Sequence, residues 1–573
     1  MQKQGKDRTR TWNITAANKL SFSLLALSIA AYLIQAHNSL ALSGISFDEW
    51  MEALGLIDQI RHAKSVLSGQ DAHYSQIIDN LEFYGIVNKL PSLLISTILD
   101  PSHIENIFSK ADKFSVVGDL AKNNYYNQSH ITSMFFFAGT VATTLALSRL
   151  SGTRNWAIPC ILCLWWPSFV GHSFMNIKDI PFAFFYTLYT YLTAKRVIAI
   201  KSQASSRYLI SASITAGCLI SMKLPAVVAI IITEAVASLL GHIILKRFQP
   251  ENKEVINQQY LGISSFLATL SRSALSLALA LGTFYVLTPP AWKQPFKYTK
   301  EAFEVHSNHL WPGCTWFDGV CSGKAVNAED WSTFSYLLDW FSAQTPVLIL
   351  LLTTISLLYS FLAAKKLLLK SRRIDIFQLN YAPLILIILQ TILVPLMAIA
   401  GDSALYNALR HLTFAIPGIA ILAVHGAERF TQAIPRSKKL LIATVALLAI
   451  FLVIDNLRLS PYNYIYLNES SRHSANIALT ELDYWGFSSG ELMRDVARSE
   501  EDRFGLVDGY RPMIAVYLDV LKRKDVPGGP RFRAVFSVDD LQKDTSSCRV
   551  LAETRRSMIG TSELLLSKAY LCE

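Results

Sequence analysis

Long apolar runs alternate with short basic turns through most of the chain. The first run covers residues 20–42, and ten more follow at 131–148, 156–171, 180–194, 208–222, 225–245, 264–287, 344–363, 381–400, 411–427 and 439–456. Crossing a bilayer core about 30 Å thick takes roughly 20 residues of helix, so the pattern predicts about eleven transmembrane helices. Residues 20–42 are too long for a signal-peptide core and offer no small-residue cleavage site, so this helix is expected to be retained. Polar stretches separate the runs at 43–130, 172–179, 288–343 and 401–410, and beyond 457 the chain returns to soluble composition.

The polar stretches carry patterns of their own. In residues 51–69, Met51, Leu54, Ile57, Ile60 and Val66 recur at near-helical spacing, predicting an amphipathic helix along the membrane surface. Residues 90–99 give a second short apolar helix. The loop 288–343 is rich in Trp, Pro and Gly and reads as an irregular lid at the interface. In the tail, strands are expected at Asn463–Leu467, Phe504–Val507 and Arg533–Ser537. A helix is expected at Pro512–Arg523, ending before the Pro-Gly-Gly-Pro turn. The predicted class is an all-α polytopic membrane protein, residues 1–456, followed by a small α/β or α+β domain, residues 457–573.

Composition supports this reading: 51% of residues are hydrophobic and 17% charged, against about 25% charged in soluble proteins. The net charge of +10 does not require a nucleic-acid partner, because the basic residues have another explanation. Lys3, Lys6, Arg8, Arg10 and Lys19 precede the first run. Later basic groups lie at 149–154, 195–207, 246–253, 365–373 and 429–439. With eleven spans, every one of these groups falls on the cytoplasmic side, as basic loops should. The two large loops and the tail then share the opposite face. Cys314 and Cys321 in one loop, and Cys548 and Cys572 in the tail, are candidate disulfides if that face is oxidising. Cys160, Cys163 and Cys218 lie in apolar runs and read as buried small hydrophobes.

Three polar clusters meet on that face. Asp48-Glu49 follows the first run by a few residues, Lys178-Asp179 sits in a very short turn, and Tyr406, Arg410 and His411 lead into an apolar helix. Each has an ordinary explanation as a solvated helix end, a local ion pair or a snorkelling cation. Ionisable groups at membrane depth nevertheless need partners or a task, and clusters hundreds of residues apart are what a site between helices requires. Arg410 suits a phosphate bidentately, with His411, Lys178 and Tyr406 beside it. Asp48 suits a general base, with Glu49 and Asp179 as further acidic positions.

The segments Ser46–Trp50, NIKDIPFAFF (176–185), YNALRHLTFAIPG (406–418), SPYNYIYLNE (460–469) and ELDYWGFSSGELM (481–493) resemble the GT-C glycosyltransferases. They are most similar to the polyprenyl-phosphate-sugar-dependent, family 39-like group of protein O-mannosyltransferases and the lipid A aminoarabinose transferase. The resemblance covers residues 40–495, and its short motifs carry weight together rather than singly. It implies an inverting transfer of a sugar from a polyprenyl-phosphate donor to a lipid, glycan or protein acceptor at the outer face of a bacterial plasma membrane. By it, Asp48 would be the catalytic acidic residue of the first loop and Asp179 the second acidic position. Arg410 and His411 would contact the donor phosphate. Members differ in whether a divalent metal bridges the equivalent of Asp48 to the phosphate, and this sequence leaves both arrangements open. A MIR-type lumenal insert is not identifiable, which sets the chain apart from the eukaryotic mannosyltransferases. The alternative is a transporter or flippase that uses the same clusters as a substrate path, though such proteins often carry internal repeats and none is evident here.

Overall fold

The computed structural model describes residues 16–69, 81–102, 107, 113–122, 124–247, 255–307, 315–322, 332–369, 381–474, 476–498, 507–508, 531–536, 541 and 547–572. Helix α1 (Ala16–Leu42) is followed by α2 (Phe47–Leu67), α3 (Leu90–Leu99) and α4 (Lys113–Lys122). The central series is α5 (Tyr125–Leu150), α6 (Ile158–Trp165), α7 (Pro167–Ser173), α8 (Asp179–Ile198), α9 (Ala204–Met222), α10 (Ala226–Arg247) and α11 (Val255–Val286). Then come α12 (Pro295–Ser307), a hairpin of β1 (Thr315–Phe317) and β2 (Val320–Ser322), α13 (Thr333–Gln344), α14 (Val347–Leu369), α15 (Ala382–Ala400), α16 (Ile416–Ala433) and α17 (Lys438–Leu459). The C-terminal part holds α18 (Ser489–Arg498) and strands β3 (Val507–Asp508), β4 (Arg531–Val535), β5 (Cys548–Arg556) and β6 (Leu564–Cys572).

All eleven apolar runs are helical. Among the described residues, seven helices are long and apolar enough to cross a membrane unaided, and α13 with α14, bent through 117°, forms an eighth candidate. The remaining three runs are α6–α7, α8 and α9. The run 156–171 is split into helices of 8 and 7 residues, and α8 and α9 turn Tyr186, Tyr189, Thr190, Ser213 and Thr215 into the bundle. Residues 156–171 break at Trp166, whose ψ of 105° reflects the exclusion of a pre-proline residue from helical backbone by Pro167.

The loops depart from expectation in three places. Helix α2 begins within a few residues of where its periodicity placed it, and its apolar residues face protein. Ala53, Leu54, Leu56 and Ile57 are buried in a cluster with Ile86, Leu93, Val116 and Leu120. The 288–343 region is mainly helical in its described parts, through α12 and α13, rather than an irregular lid. Asn463–Leu467 is not a strand. Asn463–Ile465 is a 3-10 turn, and Tyr462, Tyr464, Tyr466 and Leu467 are buried in the main bundle core, where no strand partner is available.

The C-terminal sheet has the order β3-β4-β6-β5, with β3 parallel to β4 and the other pairs antiparallel. Strand β4 starts two residues before the expected strand at Arg533. Of the strand expected at Phe504–Val507 only Val507 is described, and it lies in β3; Pro512–Arg523 lies outside the described residues. The two longest strands, β5 and β6, were not anticipated. They carry the Cys548–Cys572 disulfide predicted from location. The Cys314 partner of the other predicted pair lies outside the described residues. The sheet packs on α18 through Leu492, Met493, Val496, Phe532 and Ala534.

Candidate active site

Helix α2 starts directly against the C-terminal segment. The Gly44 and Phe47 amides donate to the Phe487 and Trp485 carbonyls at 3.0 and 2.9 Å. Ser46 is the N-cap, and its amide donates to Glu49 Oε2 at 2.8 Å, half of the reciprocal capping arrangement of helix starts. The other oxygen of Glu49 stands 2.9 Å from Nε2 of buried His130. Glu49 is thereby spent on fixing the start of α2 against α5. Asp48, one residue earlier, points the other way. Its Oδ2 accepts from Arg410 Nη1 at 2.7 Å, joining the two ends of a 362-residue separation.

Arg410 comes from a 3-10 segment, Ala408–Ala415, entered through two successive left-handed residues, Asn407 (φ 57°) and Ala408 (φ 58°). Non-glycine residues rarely adopt this conformation, and where they do it commonly marks a functional site. The turn is held by Tyr336, whose hydroxyl donates to the Ala408 carbonyl at 3.1 Å, and by Gln344 Oε1, which accepts from the Leu409 amide at 3.2 Å. Arg410 is 2% exposed. Its guanidinium lies 4.6 Å from the Tyr406 ring centre and 5.0 Å from that of Trp485, and Nε is 3.4 Å from His411 Nε2.

Asp179 opens α8, where Asn176 Oδ1 accepts from the Lys178 and Asp179 amides at 3.1 and 2.8 Å. The carboxylate of Asp179 accepts from Asn176 Nδ2 at 2.9 Å and from Lys223 Nζ at 2.5 Å. Asn176 is also 3.2 Å from His172 Nδ1, and His172 Nε2 is 3.0 Å from the Tyr484 hydroxyl. Lys178 turns instead to Glu52, with Nζ 3.1 Å from Oε1 and 3.7 Å from the Tyr84 ring centre. The other oxygen of Glu52 meets Lys89 Nζ at 2.5 Å. Burial works to raise the Glu52 carboxyl, but Lys89 and Lys178 outweigh it and hold it at about 2.

Some of these groups border a cavity of about 450 Å³, whereas Asp48, Glu52, Lys89 and Trp485 are not part of its lining. At one end Lys178, Asp179, Lys223, Tyr406, Arg410 and His411 line it; from there it runs between α10 and α15 along Ala226, Val228, Val394, Pro395 and Met397. Pro395 lies inside α15, where its missing N–H and its ring disturb the helix. One end therefore offers fixed cationic donors and the rest an apolar trough. Such a space fits an anionic head with a hydrocarbon tail. Among the described residues, no three His, Cys, Asp or Glu side chains are grouped to hold a metal ion.

No family model matches this chain, and no curated protein does. Among solved structures it is similar to ArnT from Cupriavidus metallidurans bound to undecaprenyl phosphate. The identity is 12% and the TM-score 0.42, over 97% of this chain and 98% of that one. Apo ArnT from the same organism gives 12%, 0.42, 96% and 98%.

Of the residues singled out from sequence, Asp48, Asp179, Lys178, Tyr406, Arg410 and His411 gather at one end of the bundle, while Glu49 faces into the α2–α5 contact. Sequence reasoning passed over Lys223, Glu52, Lys89, Tyr84 and Trp485. Lys223 did leave a signal. It is a lone cation in the two-residue turn between runs 208–222 and 225–245, on the face where the eleven-span count expects few basic residues.

Proposed function

We propose that the protein is an integral-membrane glycosyltransferase that takes a sugar from a polyprenyl-phosphate donor and passes it to an acceptor hydroxyl, with inversion. The single observation that carries this reading is the cluster of Lys178, Lys223 and Arg410, the last paired with Asp48, on a cavity lined otherwise mainly by apolar residues. The lipid tail would occupy the trough between α10 and α15, and the phosphate would lie among Lys178, Lys223 and Arg410. Asp48 would take the proton from the acceptor hydroxyl as its oxygen bonds to the anomeric carbon. The bond from that carbon to the phosphate oxygen breaks, and its electron pair stays on the phosphate. Fixed cations stabilise that developing charge, typically the larger contribution in such sites, while general-base help contributes about 10²–10⁴-fold.

Within this scheme Asp179 holds Lys223 in place, and Tyr406 and Trp485 hold the Arg410 guanidinium between their rings. His411 stands beside Arg410 at the phosphate. Glu49 acts on the structure of α2 rather than on the reaction. The polar end of the bundle, with the disulfide-bearing C-terminal part, would face the oxidising side of a bacterial inner membrane, and the N-terminus the cytoplasm.

The test is transfer of labelled sugar from a panel of polyprenyl-phosphate sugars by purified protein in detergent, beside Asp48→Asn. Release of polyprenyl phosphate by the unaltered protein and none above background by the variant is expected. Substantial turnover by Asp48→Asn would remove the base role. Donor binding without turnover by the unaltered protein would favour transport.

A further inference from the structure

The ion pairs at the polar end of the cavity are not equivalent. Arg410 is matched by Asp48, and Lys223 by Asp179, one cation to one carboxylate in each case. Glu52 is shared by two cations, Lys178 and Lys89, one on each of its oxygens. Lys89 is 1% exposed and does not border the cavity, whereas Lys178, with its side chain 16% exposed, does. Lys89 therefore offsets Glu52 from behind, so the two lysines exceed their shared carboxylate by one charge, and Lys178, which Asp48 also faces, is the one of the two that borders the cavity. Tyr84, under the Lys178 ammonium, adds a ring face that restricts where the ammonium sits but carries no countercharge.

We propose that Lys89 and Glu52 are positioning residues that make the Lys178 corner the anion seat of this cluster. This inference rests on the donor reading above. In that reading Lys178 is one phosphate contact among three; here it is the one whose net charge is held in reserve by two residues that never touch the substrate. A buried carboxylate with only one lysine would have cancelled it. With the second lysine behind, Glu52 fixes the position of Lys178 without cancelling its field. Asp48 and Asp179 have no such second lysine, so a phosphate competes with a full carboxylate for Arg410 and for Lys223, but for Lys178 only with one already shared by Lys89.

The consequence can be separated from a plain structural role by restoring charge. Lys89→Met leaves Glu52 and Lys178 as a matched pair. Affinity of the full-length protein for farnesyl phosphate, a short prenyl monophosphate, should then fall about tenfold, as expected for removing a unit charge a few ångströms behind a partly buried seat. The donor KM should rise with little change in kcat. Adding Glu52→Gln to Lys89→Met removes both buried charges and leaves Lys178 unmatched again, so affinity should return to within a few-fold of the unaltered protein. A buried ion pair is often replaced by neutral residues without loss of folding, and matching unfolding midpoints for the two variants would check this. Affinity unchanged in Lys89→Met, or weaker in the double variant than in the single, would overturn the inference. The two readings can also fail separately. Charge-dependent binding in a protein that transfers no sugar would keep the seat and sink the transferase. Transfer that is indifferent to Lys89 would do the reverse.

Discussion

Arg410 is fixed from three directions: Asp48 at its tip, and the rings of Tyr406 and Trp485 on its guanidinium. A lysine could supply the charge but neither the planar stack nor a second donor for phosphate. Arg410→Lys should lower the transfer rate on the order of 10²-fold, the usual loss for one stabilising donor, with the protein still folded. Asp483 makes a second prediction at this scale. It accepts from the Phe487 and Ser488 amides at 2.9 and 3.2 Å and from the Tyr464 and Ser488 hydroxyls. Burial nonetheless pushes its carboxyl from 3.8 up to about 6. The folded state then binds the proton more tightly than the unfolded chain does. Stability should fall as pH rises from about 4 to 6 and level off above, by at most about 3 kcal/mol. Unfolding in detergent across that range should show the slope, and Asp483→Asn should flatten it. Glu52, held at about 2, behaves oppositely: its ionised form is stabilising above the ordinary carboxylate range and is lost only as pH falls through about 2. Any change in transfer rate near neutrality therefore has another origin.

Between elements, the site depends on close backbone approach. The Gly85 amide donates to the Ser221 carbonyl at 2.8 Å, and a Cβ on Gly85 would lie 2.2 Å from that oxygen. This contact ties the segment carrying Tyr84 to the end of α9, two residues before Lys223. Gly85→Ala should separate the two sides of the anion site. It should destabilise the protein by about 1–3 kcal/mol, as overpacking does, and weaken prenyl-phosphate binding more than unfolding temperature alone would suggest. Contacts of this kind also mark the limit of what the chain discloses when read as a string. Apolar runs announce helices because lipid and packing impose one long periodic demand. The break at Trp166 was written there too, in Pro167. Glu52 and Lys89 left no such trace. Glu52 reads as the polar face of an amphipathic helix, and its partners lie 37 and 126 positions away. Strands β5 and β6 escaped for a related reason: a strand in a small sheet is specified by its neighbour across the ladder more than by its own alternation.

For the molecule as a whole, the division into a membrane part and a tail does not coincide with the division into cores. Tyr462, Tyr464, Tyr466, Leu482, Trp485 and Phe487, with Met558, Leu564 and Leu566, belong to the main bundle core. Within the described part of the tail, α18 with β4, β5 and β6 forms a cluster of its own. The Cys548–Cys572 bridge closes a separation of 24 residues. Replacing both cysteines by serine should cost roughly 3 kcal/mol, loosening the sheet first, which limited proteolysis would report. The contacts of Gly44 and Phe47 with Phe487 and Trp485, and of Gly490 packed on Ser43, have a consequence in time. Asp48 leaves the ribosome more than 400 residues before Trp485, so the intervening helices are made before Asp48 has the contacts that hold the start of α2. A chain stopped at 456 should insert yet bind no prenyl phosphate, and the missing piece supplied as a separate polypeptide should restore binding. Until synthesis has passed Trp485, the start of α2 lacks the carbonyls that hold it, and a partly inserted chain should have no assembled polar cluster.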